Sequence, residues 1–510
     1  MNTTFGKQAG NWVQGAMVYQ VNLRALAARE PRNPVEAAGE KPVVESPLAY
    51  LTRNLARLKR LGFTVLYLLP PYPIGRLGRK GIGSPYSSRN FTAIEPEYGS
   101  KAEALELVRK AHKLGLRVIF DITPNHTARD HVWMKEHPEY YVRNADGSAF
   151  FDCDWSDTAK LDYRVPALRA AMIEVYDHWL SCLGDGDGID GFRLDMAHFI
   201  NDRSFWNEAM AELRRRHPGR ELLFLAECYG FGNNVDLFAR GIVAAYDDDF
   251  YKLAQYGYAV DEATGESRVR LGEDAQHNHD FQPILEAWGD GGIAAAAGKI
   301  LSRYEQAEPQ FGTPRYVARY TDNHDEGRGL YRFGPGAVRA MNTLAFLAPH
   351  TIPFLLCGEE FGALDRPSIH ARCQTCDKGR RILLPDGREV RIEGIEFEGN
   401  IYARGLEART EWYSFFQELM RLRRRSPVLT AGDCRLVDVG EVAGAPRDRT
   451  VVAFDRSLGR RLWRCAVNLG EKPRRLARAD ALLNGKLIYG GLDEGGVLPA
   501  FSAVVAAIGE

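Results

Sequence analysis

Residues 191–195 read Gly-Phe-Arg-Leu-Asp, and the fold prediction starts from this stretch. Short, largely apolar runs of this kind are typical of parallel strands that are buried on both faces. Arg193 and Asp195 are two positions apart, so a strand presents both side chains on one face. We therefore interpret 191–195 as a buried strand that carries a charged pair.

Seven further runs of the same kind lie on either side of this stretch. Between them lie amphipathic stretches in which apolar residues recur at steps of three and four, the spacing of helices. The other predicted strands are residues 17–21, 65–69, 118–121, 223–227, 243–246, 317–321 and 353–357. The predicted helices include residues 51–61, 101–114, 167–183, 205–216 and 337–348. Eight alternating strand and helix units predict an α/β fold, the TIM (β/α)8 barrel.

The pattern changes after a predicted helix at residues 411–422. From about residue 428 onward, strand-like runs and turn clusters predict a small C-terminal antiparallel β-sandwich. These runs are residues 436–439, 450–454, 462–467 and 501–507. Two connections within the barrel, 125–162 and 358–411, are longer than usual, and excess length there tends to be functional. The second contains a predicted hairpin of residues 381–384 and 390–392.

The composition excludes several classes of protein. The chain has 510 residues, with 66 basic and 67 acidic side chains and 45% hydrophobic residues. A net charge of −1 lacks the electrostatic field that nucleic-acid and acidic-membrane binders show. Prolines and a histidine interrupt the most apolar stretch, 344–357, and residues 1–20 lack the regions of a secretory signal. We therefore predict a cytoplasmic protein with no nucleic-acid or membrane partner, in an oligomeric state that these features do not specify.

The eight cysteines are too scattered to form a disulfide framework. Most lie in apolar contexts, which favour reduced and buried thiols. Cys373 and Cys376 form an isolated CxxC pair. Because zinc requires further ligands and only His370 is close in sequence, we predict no metal site there.

Polar residues cluster at the ends of four predicted strands, at residues 121–126, 191–195, 225–227 and 321–325. Arg193 would favour the ionised form of Asp195. Glu227 follows two apolar residues, and partial desolvation would favour its protonated form, which a general acid needs near neutral pH. A charged and a protonated carboxyl group form the pair that glycoside cleavage requires. Taken singly, each cluster is equally compatible with an unrelated buried ion pair.

In this order, the four clusters resemble the conserved regions of glycoside hydrolase family 13, the α-amylase family. Residues 121–126 resemble its first region, 191–195 its second, 225–227 its third and 322–325 its fourth. The resemblance extends over nearly the whole chain and implies a division into domains. The division is a first part of the catalytic barrel at 1–125, a short inserted domain at 126–162, a second part of the barrel at 163–426 and a C-terminal domain at 427–510.

The resemblance also implies a role for each site residue. Asp195 would be the nucleophile, Glu227 the general acid and base, and Asp325 the group that stabilises the transition state. Arg193 would orient Asp195, Tyr86 would stack on the sugar, and His126 and His324 would donate to its hydroxyl groups. Two successive displacements retain the α configuration, for which the two carboxyl groups lie about 5–5.5 Å apart.

Many α-amylases hold a structural calcium ion beside the inserted domain, and the sequence departs from that pattern. Asn125 matches one ligand. However, Lys160 replaces an aspartate, and Phe199 occupies the position of a histidine. Since an ammonium group repels a hard cation, we expect no calcium at this position, and no other cofactor.

The sequence leaves several functions open. The main hypothesis is hydrolysis of α-1,4 bonds in malto-oligosaccharides or related glucans, with the glucan as the binding partner. Transfer to another acceptor is the main alternative, since residues 73–81 resemble maltosyltransferases that use maltose 1-phosphate. Two further alternatives are a silent glycan-binding protein and a metal-dependent hydrolase that uses Asp121, His126, His324 and Asp325. His198 stands where a lysine commonly contacts the leaving group, and a structural role for it is as well supported.

Overall fold

The protein folds around a closed parallel β-barrel. A computed structural model describes residues 11–27, 46–364, 366–367, 369, 374–375, 381–383, 389–391 and 410–509. Within these residues, eight parallel strands close into the barrel, and each pairs with the next along the chain. They are β1 (Val18–Val21), β2 (Val65–Leu68), β3 (Arg117–Ile122), β4 (Gly191–Leu194), β5 (Leu223–Ala226), β6 (Ala244–Tyr246), β7 (Tyr316–Arg319) and β8 (Thr351–Leu356). The predicted TIM barrel is confirmed, with each predicted strand within two residues of the observed one.

Helices follow the strands and pack around the barrel. The principal ones are α1 (Pro47–Leu61), α2 (Lys101–Lys113), α3 (Pro166–Leu180), α4 (Phe205–Arg216), α5 (Phe231–Ala239), α6 (Gln282–Ala307), α7 (Gly334–Leu347) and α8 (Thr410–Arg424). The other helices are Asp248–Gly257 and the short segments Leu23–Ala27, Val132–Glu136, Gly329–Arg332, Pro427–Ala431 and Asp480–Asn484. In the part of the chain that the structure describes, none of these helices has the length and apolar character needed to cross a membrane.

Local sequence signals determine where several of these elements begin and end. In α2, the Ser100 side chain accepts the Glu103 N–H while the Glu103 carboxylate accepts the Ser100 N–H, a capping box. Gly115 follows that helix with a φ of 71°, a left-handed conformation that glycine adopts at little cost. The chain therefore enters β3 at a defined point.

The strand register brings Asp121, Arg193, Asp195 and Glu227 to one end of the barrel. Asp121 in β3 pairs with Arg193 in β4, which in turn pairs with Leu225 in β5. Beyond the strand ends, the Asp195 N–H donates to the Ile122 carbonyl at 2.9 Å, and the Glu227 N–H donates to the Leu194 carbonyl at 2.9 Å. Asp195 and Glu227 thus lie on adjacent strands at the carboxyl end of the barrel, here called the barrel mouth.

The C-terminal region forms a separate antiparallel sheet. In residues 410–509, all of them described, the sheet has the strand order β9-β10-β11-β13-β12. Its strands are β9 (Asp433–Leu436), β10 (Val451–Leu458), β11 (Arg461–Asn468), β12 (Lys486–Gly490) and β13 (Ala503–Gly509). A two-stranded ribbon, Arg474–Arg475 with Val497–Leu498, packs Leu498 into the same hydrophobic cluster as Val504. The C-terminal β domain is therefore confirmed.

Two strands of this sheet differ from the prediction. The first runs over Asp433–Leu436 rather than 436–439, and β12 was not predicted at all. Both are edge strands with largely exposed side chains; β9 has no apolar run, and the apolar run of β12 covers only residues 487–489.

The two long connections contain hairpins. In the first, His126–Ala128 pairs with Thr158–Lys160, and in the second Arg381–Leu383 pairs with Glu389–Arg391. The second pairing confirms the predicted hairpin, although its turn lies outside the described residues, as do His370, Cys373 and Cys376. Cys228, Cys357 and Cys465 are buried as expected, whereas Cys153 is exposed in the first connection.

Candidate active site

Arg193 is the centre of a buried charged cluster at the barrel mouth. Its Nη1 donates to Asp195 Oδ1 at 2.8 Å and to the two oxygens of Asp121 at 3.1 and 3.2 Å. Its Nη2 lies 2.9 Å from Glu227 Oε1. The guanidinium also lies over the rings of Tyr86 and Tyr246, at 5.7 and 5.4 Å from their centroids. One fully buried cation therefore holds three carboxyl groups in one place.

Asp195 and Glu227 are both buried and share the Arg193 guanidinium. Burial, followed by the charge on Glu227, raises the pKa of Asp195 well above its usual value and outweighs Arg193. Glu227 accepts hydrogen bonds from the Tyr229 hydroxyl and the Met196 N–H, both at 2.9 Å. Arg193 lowers the pKa of Asp195 as expected, but burial and the charge on Glu227 act in the opposite direction and are stronger.

Asp121, in β3, and Tyr86 lie beside the Asp195 and Glu227 pair. Tyr86 donates its hydroxyl to Asp121 Oδ2 at 2.8 Å, and Tyr67 donates to the same oxygen at 2.5 Å. Burial is the main cause that raises the pKa of Asp121. The Tyr86 ring lies parallel to the His324 ring, at 5.2 Å and 11° between planes. Tyr86 thus reaches the cluster through its hydroxyl as well as its ring.

His324 joins Tyr86 to Asp325. Gln20 Nε2 lies 2.8 Å from His324 Nδ1. His324 Nε2 lies 2.5 Å from the Tyr86 hydroxyl and 3.0 Å from Asp325 Oδ2. Burial opposes the charge on Asp325, but His324 outweighs it and lowers the pKa of Asp325 to about 2. Asp325 therefore remains a carboxylate over the working range of an enzyme.

His126 lies beside the same cluster, on the inserted segment. Its ring is hydrogen-bonded to the backbone of Tyr86 and lies 5.4 Å from the ring of Trp155. Burial lowers the pKa of His126 to about 4, so the ring is neutral near pH 7. A neutral imidazole beside an indole suits contact with a polar, uncharged ligand such as a sugar.

The Lys160 ammonium occupies the position at which no calcium was expected. Lys160 Nζ donates to both oxygens of Asp152 at 2.7 and 2.9 Å and to the Phe199 carbonyl at 3.2 Å. Asn125 Nδ2 donates to the same Asp152 carboxylate at 2.8 Å, so it presents an amide N–H there rather than an oxygen ligand. These residues do not fit a calcium ion, since the ammonium occupies the oxygens that the ion would need.

Sequence reasoning missed several residues of the cluster. Tyr229, Gln20 and Tyr67 form hydrogen bonds to Glu227, His324 and Asp121, respectively. Tyr229 lies two residues beyond Glu227, and this proximity was the available signal. Gln20 and Tyr67 come from β1 and β2, and their sequence separation from their partners leaves no local signal.

His198, which could contact a leaving group or have a structural role, is buried beside Tyr229. The two ring centroids lie 5.7 Å apart, and burial lowers the pKa of His198 to about 4.

The basic loop of residues 73–81 and the proposed metal ligands can also be located in the structure. In the loop, Arg79 Nε donates to the Gly75 carbonyl at 2.8 Å, and the Lys80 ammonium lies 3.7 Å from the Asp154 carboxylate. Among the described residues, the four proposed metal ligands Asp121, His126, His324 and Asp325 do not converge on one ion position.

A closed parallel barrel with buried carboxyl groups at the carboxyl ends of its strands defines a TIM-barrel protein with an acidic centre at its mouth. The family model described as "Alpha amylase, catalytic domain" matches residues 47–156 and 141–389. The chain belongs to this alpha-amylase family.

Individual relatives agree with this assignment. Alpha-amylase MalA of Haloarcula japonica is 24% identical over 472 residues, which cover 91% of this chain and 56% of that protein. The alpha-1,4-glucan:maltose-1-phosphate maltosyltransferase of Rhodospirillum rubrum is 32% identical over 198 residues, or 34% of this chain and 28% of that protein. The chain thus spans about half, or less, of the length of these relatives. The crystal structure of an alpha-amylase from Lactobacillus plantarum superposes with a TM-score of 0.65 at 22% identity, covering 98% of this chain and 100% of that one.

Proposed function

We propose that the protein is a retaining glycosidase that cleaves α-1,4-glucosidic bonds of malto-oligosaccharides or related glucans. The observation that carries the proposal is the Arg193 guanidinium, which lies 2.8 Å from Asp195 and 2.9 Å from Glu227 on adjacent strand ends. Two carboxyl groups held in this way share one proton more readily than they carry two charges. A double displacement needs one carboxylate and one protonated carboxyl group in such a pair.

In the proposed mechanism, Asp195 attacks the anomeric carbon while Glu227 gives its proton to the departing glycosidic oxygen. The resulting glycosyl–enzyme ester is then attacked by water, whose proton returns to Glu227. Asp325 would stabilise the positive charge that develops on the sugar ring. Tyr86, His126, Arg193 and His324 would bind the sugar or orient these carboxyl groups. The proposed domain division remains 1–125 and 163–426 for the barrel, 126–162 for the inserted domain and 427–510 for the C-terminal domain.

Transfer to a sugar or phosphate acceptor is the second candidate, supported by the similarity to maltosyltransferases over 198 residues. Both reactions share the first step and differ in the acceptor that meets the ester. Incubation with maltotriose separates them, because transfer yields oligomers longer than the substrate. The panel should include maltose, longer maltodextrins, trehalose, sucrose and maltose 1-phosphate.

The role of Asp195 is tested with Asp195→Asn on the same panel. An amide cannot form the ester, so we expect activity to fall by about 10³-fold or more. Asp190→Asn is the matched control, since Asp190 is buried at the opposite end of the same strand and pairs with Arg117 at 2.8 Å. Folded Asp190→Asn should keep its activity. An active Asp195→Asn variant would overturn the assignment, and a first product with the β configuration would overturn retention.

A further inference from the structure

The carboxyl group of Glu227 is held differently at its two oxygens. Oε1 accepts the Tyr229 hydroxyl at 2.9 Å and faces Arg193 Nη2 at 2.9 Å. Oε2 accepts the Met196 N–H at 2.9 Å. Oε1 therefore meets a hydroxyl donor and a full positive charge, whereas Oε2 meets a neutral amide.

This asymmetry determines where an acidic proton is stable. A proton on Oε1 would point at the guanidinium or displace the Tyr229 hydrogen bond, and both are unfavourable. Oε2 retains a lone pair beside its amide bond, because a carboxyl oxygen accepts in two directions. We propose that Tyr229 is a positioning residue that holds Glu227 by Oε1 and leaves Oε2 as the oxygen that delivers the proton. This inference rests on the proposed function of Glu227 as the general acid.

The surroundings of Tyr229 fix its hydroxyl in this position. Asn233 Nδ2 donates to the Tyr229 carbonyl at 2.8 Å and so anchors its backbone. The His198 ring lies edge-on to the Tyr229 ring, at 5.7 Å and 88°. The charge on Glu227 is the largest cause that raises the pKa of Tyr229, so the hydroxyl keeps its proton and remains a donor.

Among the described residues, several charged and titratable groups face this pair. Arg193 is the cation, and Asp121 and Asp325 are the other acidic groups near Asp195. The uncharged groups around Glu227 come from separate elements and include His198, Cys228, Tyr229, Tyr246 and Tyr320. Replacing Tyr229 by phenylalanine changes no charge among them, so a shifted pH profile would report the lost hydrogen bond itself.

The test is the pH profile of kcat/KM for Tyr229→Phe on the best substrate of the panel. The general acid acts while it is protonated, so activity is lost as pH rises through its titration. Removing a donor to the carboxylate destabilises the charged form, and we expect the basic limb to move up by about one pH unit. We also expect kcat to fall by about tenfold with KM little changed, because the carboxyl group loses its fixed orientation.

Tyr258→Phe is the matched control, since it removes a buried hydroxyl that donates to the Leu469 carbonyl at 2.8 Å, away from the barrel mouth. Its pH profile should equal that of the wild type. The position of the basic limb does not depend on the amount of folded enzyme, so partial unfolding of Tyr229→Phe does not obscure it. An unshifted limb in Tyr229→Phe, with or without lost activity, overturns the positioning role alone. An inactive wild type overturns the proposed function and this inference with it.

Discussion

Individual residues at the barrel mouth act through the partners that the fold gives them. Arg193 binds three carboxyl groups because its planar guanidinium offers donors in several directions, which a lysine ammonium on a flexible stem does not reproduce. Lys160 illustrates the opposite case, since a compact ammonium suits the space between a carboxylate and a carbonyl oxygen. The type of cation at each position follows from the geometry of its oxygens.

Lys160 gives a prediction at the residue scale. Lys160→Ala leaves the Asp152 carboxylate without its cation in a site that is only 13% exposed, so we expect a loss of about 3 kcal/mol in the free energy of unfolding. Calcium should partly restore the stability of this variant, because the oxygens become free to bind it. Wild-type stability should be the same with chelator and with calcium, as thermal unfolding can establish.

Lys80→Ala provides the control for that prediction. Lys80 pairs with Asp154 at 3.7 Å in the same part of the fold, but Asp154 is 90% exposed. Its loss should cost well under 1 kcal/mol, with no response to calcium. A wild-type protein that loses stability on chelation would show that the Lys160 ammonium does not replace a metal ion.

At the scale of elements, helix α6 is interrupted by two glycines with non-helical backbone angles. Gly291 and Gly292 leave the helical conformation, and Gly292 has a φ of 68°. A Cβ atom at Gly292 would lie 2.4 Å from the Arg449 carbonyl oxygen and 2.6 Å from that of Arg447. The helix therefore bends at the point where it meets the loop before β10.

We expect Gly292→Ala to lower the free energy of unfolding by about 2 kcal/mol or more, because it combines a left-handed backbone with a backbone clash. Gly289→Ala in the same helix meets no atom within 4 Å and should be neutral or stabilising by about 0.5–1 kcal/mol. Denaturant unfolding of the two variants measures the difference. Equal stability of both variants would contradict the assigned role of the bend.

At the scale of the whole molecule, Arg456 joins the C-terminal sheet to the barrel. Its side chain extends from β10 and is fully buried. It donates to the Leu347 carbonyl, at the end of α7, at 2.9 Å and to the Gly432 carbonyl at 2.6 Å. Burial lowers the pKa of Arg456, because a charge is unfavourable there. The Leu347 carbonyl at the end of α7 and the Gly432 carbonyl before β9 offset that cost.

Arg456→Met keeps the length of the side chain but leaves these carbonyl groups without a donor. We expect it to lower the free energy of unfolding by about 2–4 kcal/mol, measured from denaturant midpoints. Arg435→Met is the control from the same sheet, because the Arg435 side chain is 79% exposed and pairs with Asp455 at 3.4 Å. If the two variants lose similar stability, Arg456 does not couple the sheet to the barrel.

Buried strands could be predicted closely from the sequence, and exposed ones could not. The strands of the barrel are apolar runs, because both faces are covered, so each was found within two residues. Strands β9 and β12 lie at sheet edges with largely exposed side chains, and an apolar run is absent from β9 and only three residues long in β12. Helices α5 and α6 and helix Asp248–Gly257 were not among the helices named in the prediction.

By itself, the sequence determined which residues end the strands of the barrel, because the side-chain period of a strand and the apolar runs assign Arg193, Asp195 and Glu227 to one end. Only the tertiary structure decided how the charges are shared. It placed both carboxyl groups on the same guanidinium, set Tyr229 against Glu227 and put the Lys160 ammonium between Asp152 and Phe199. The reason is physical: hydrogen bonds and burial act between groups far apart in sequence, and protonation follows those neighbours rather than the adjacent residues.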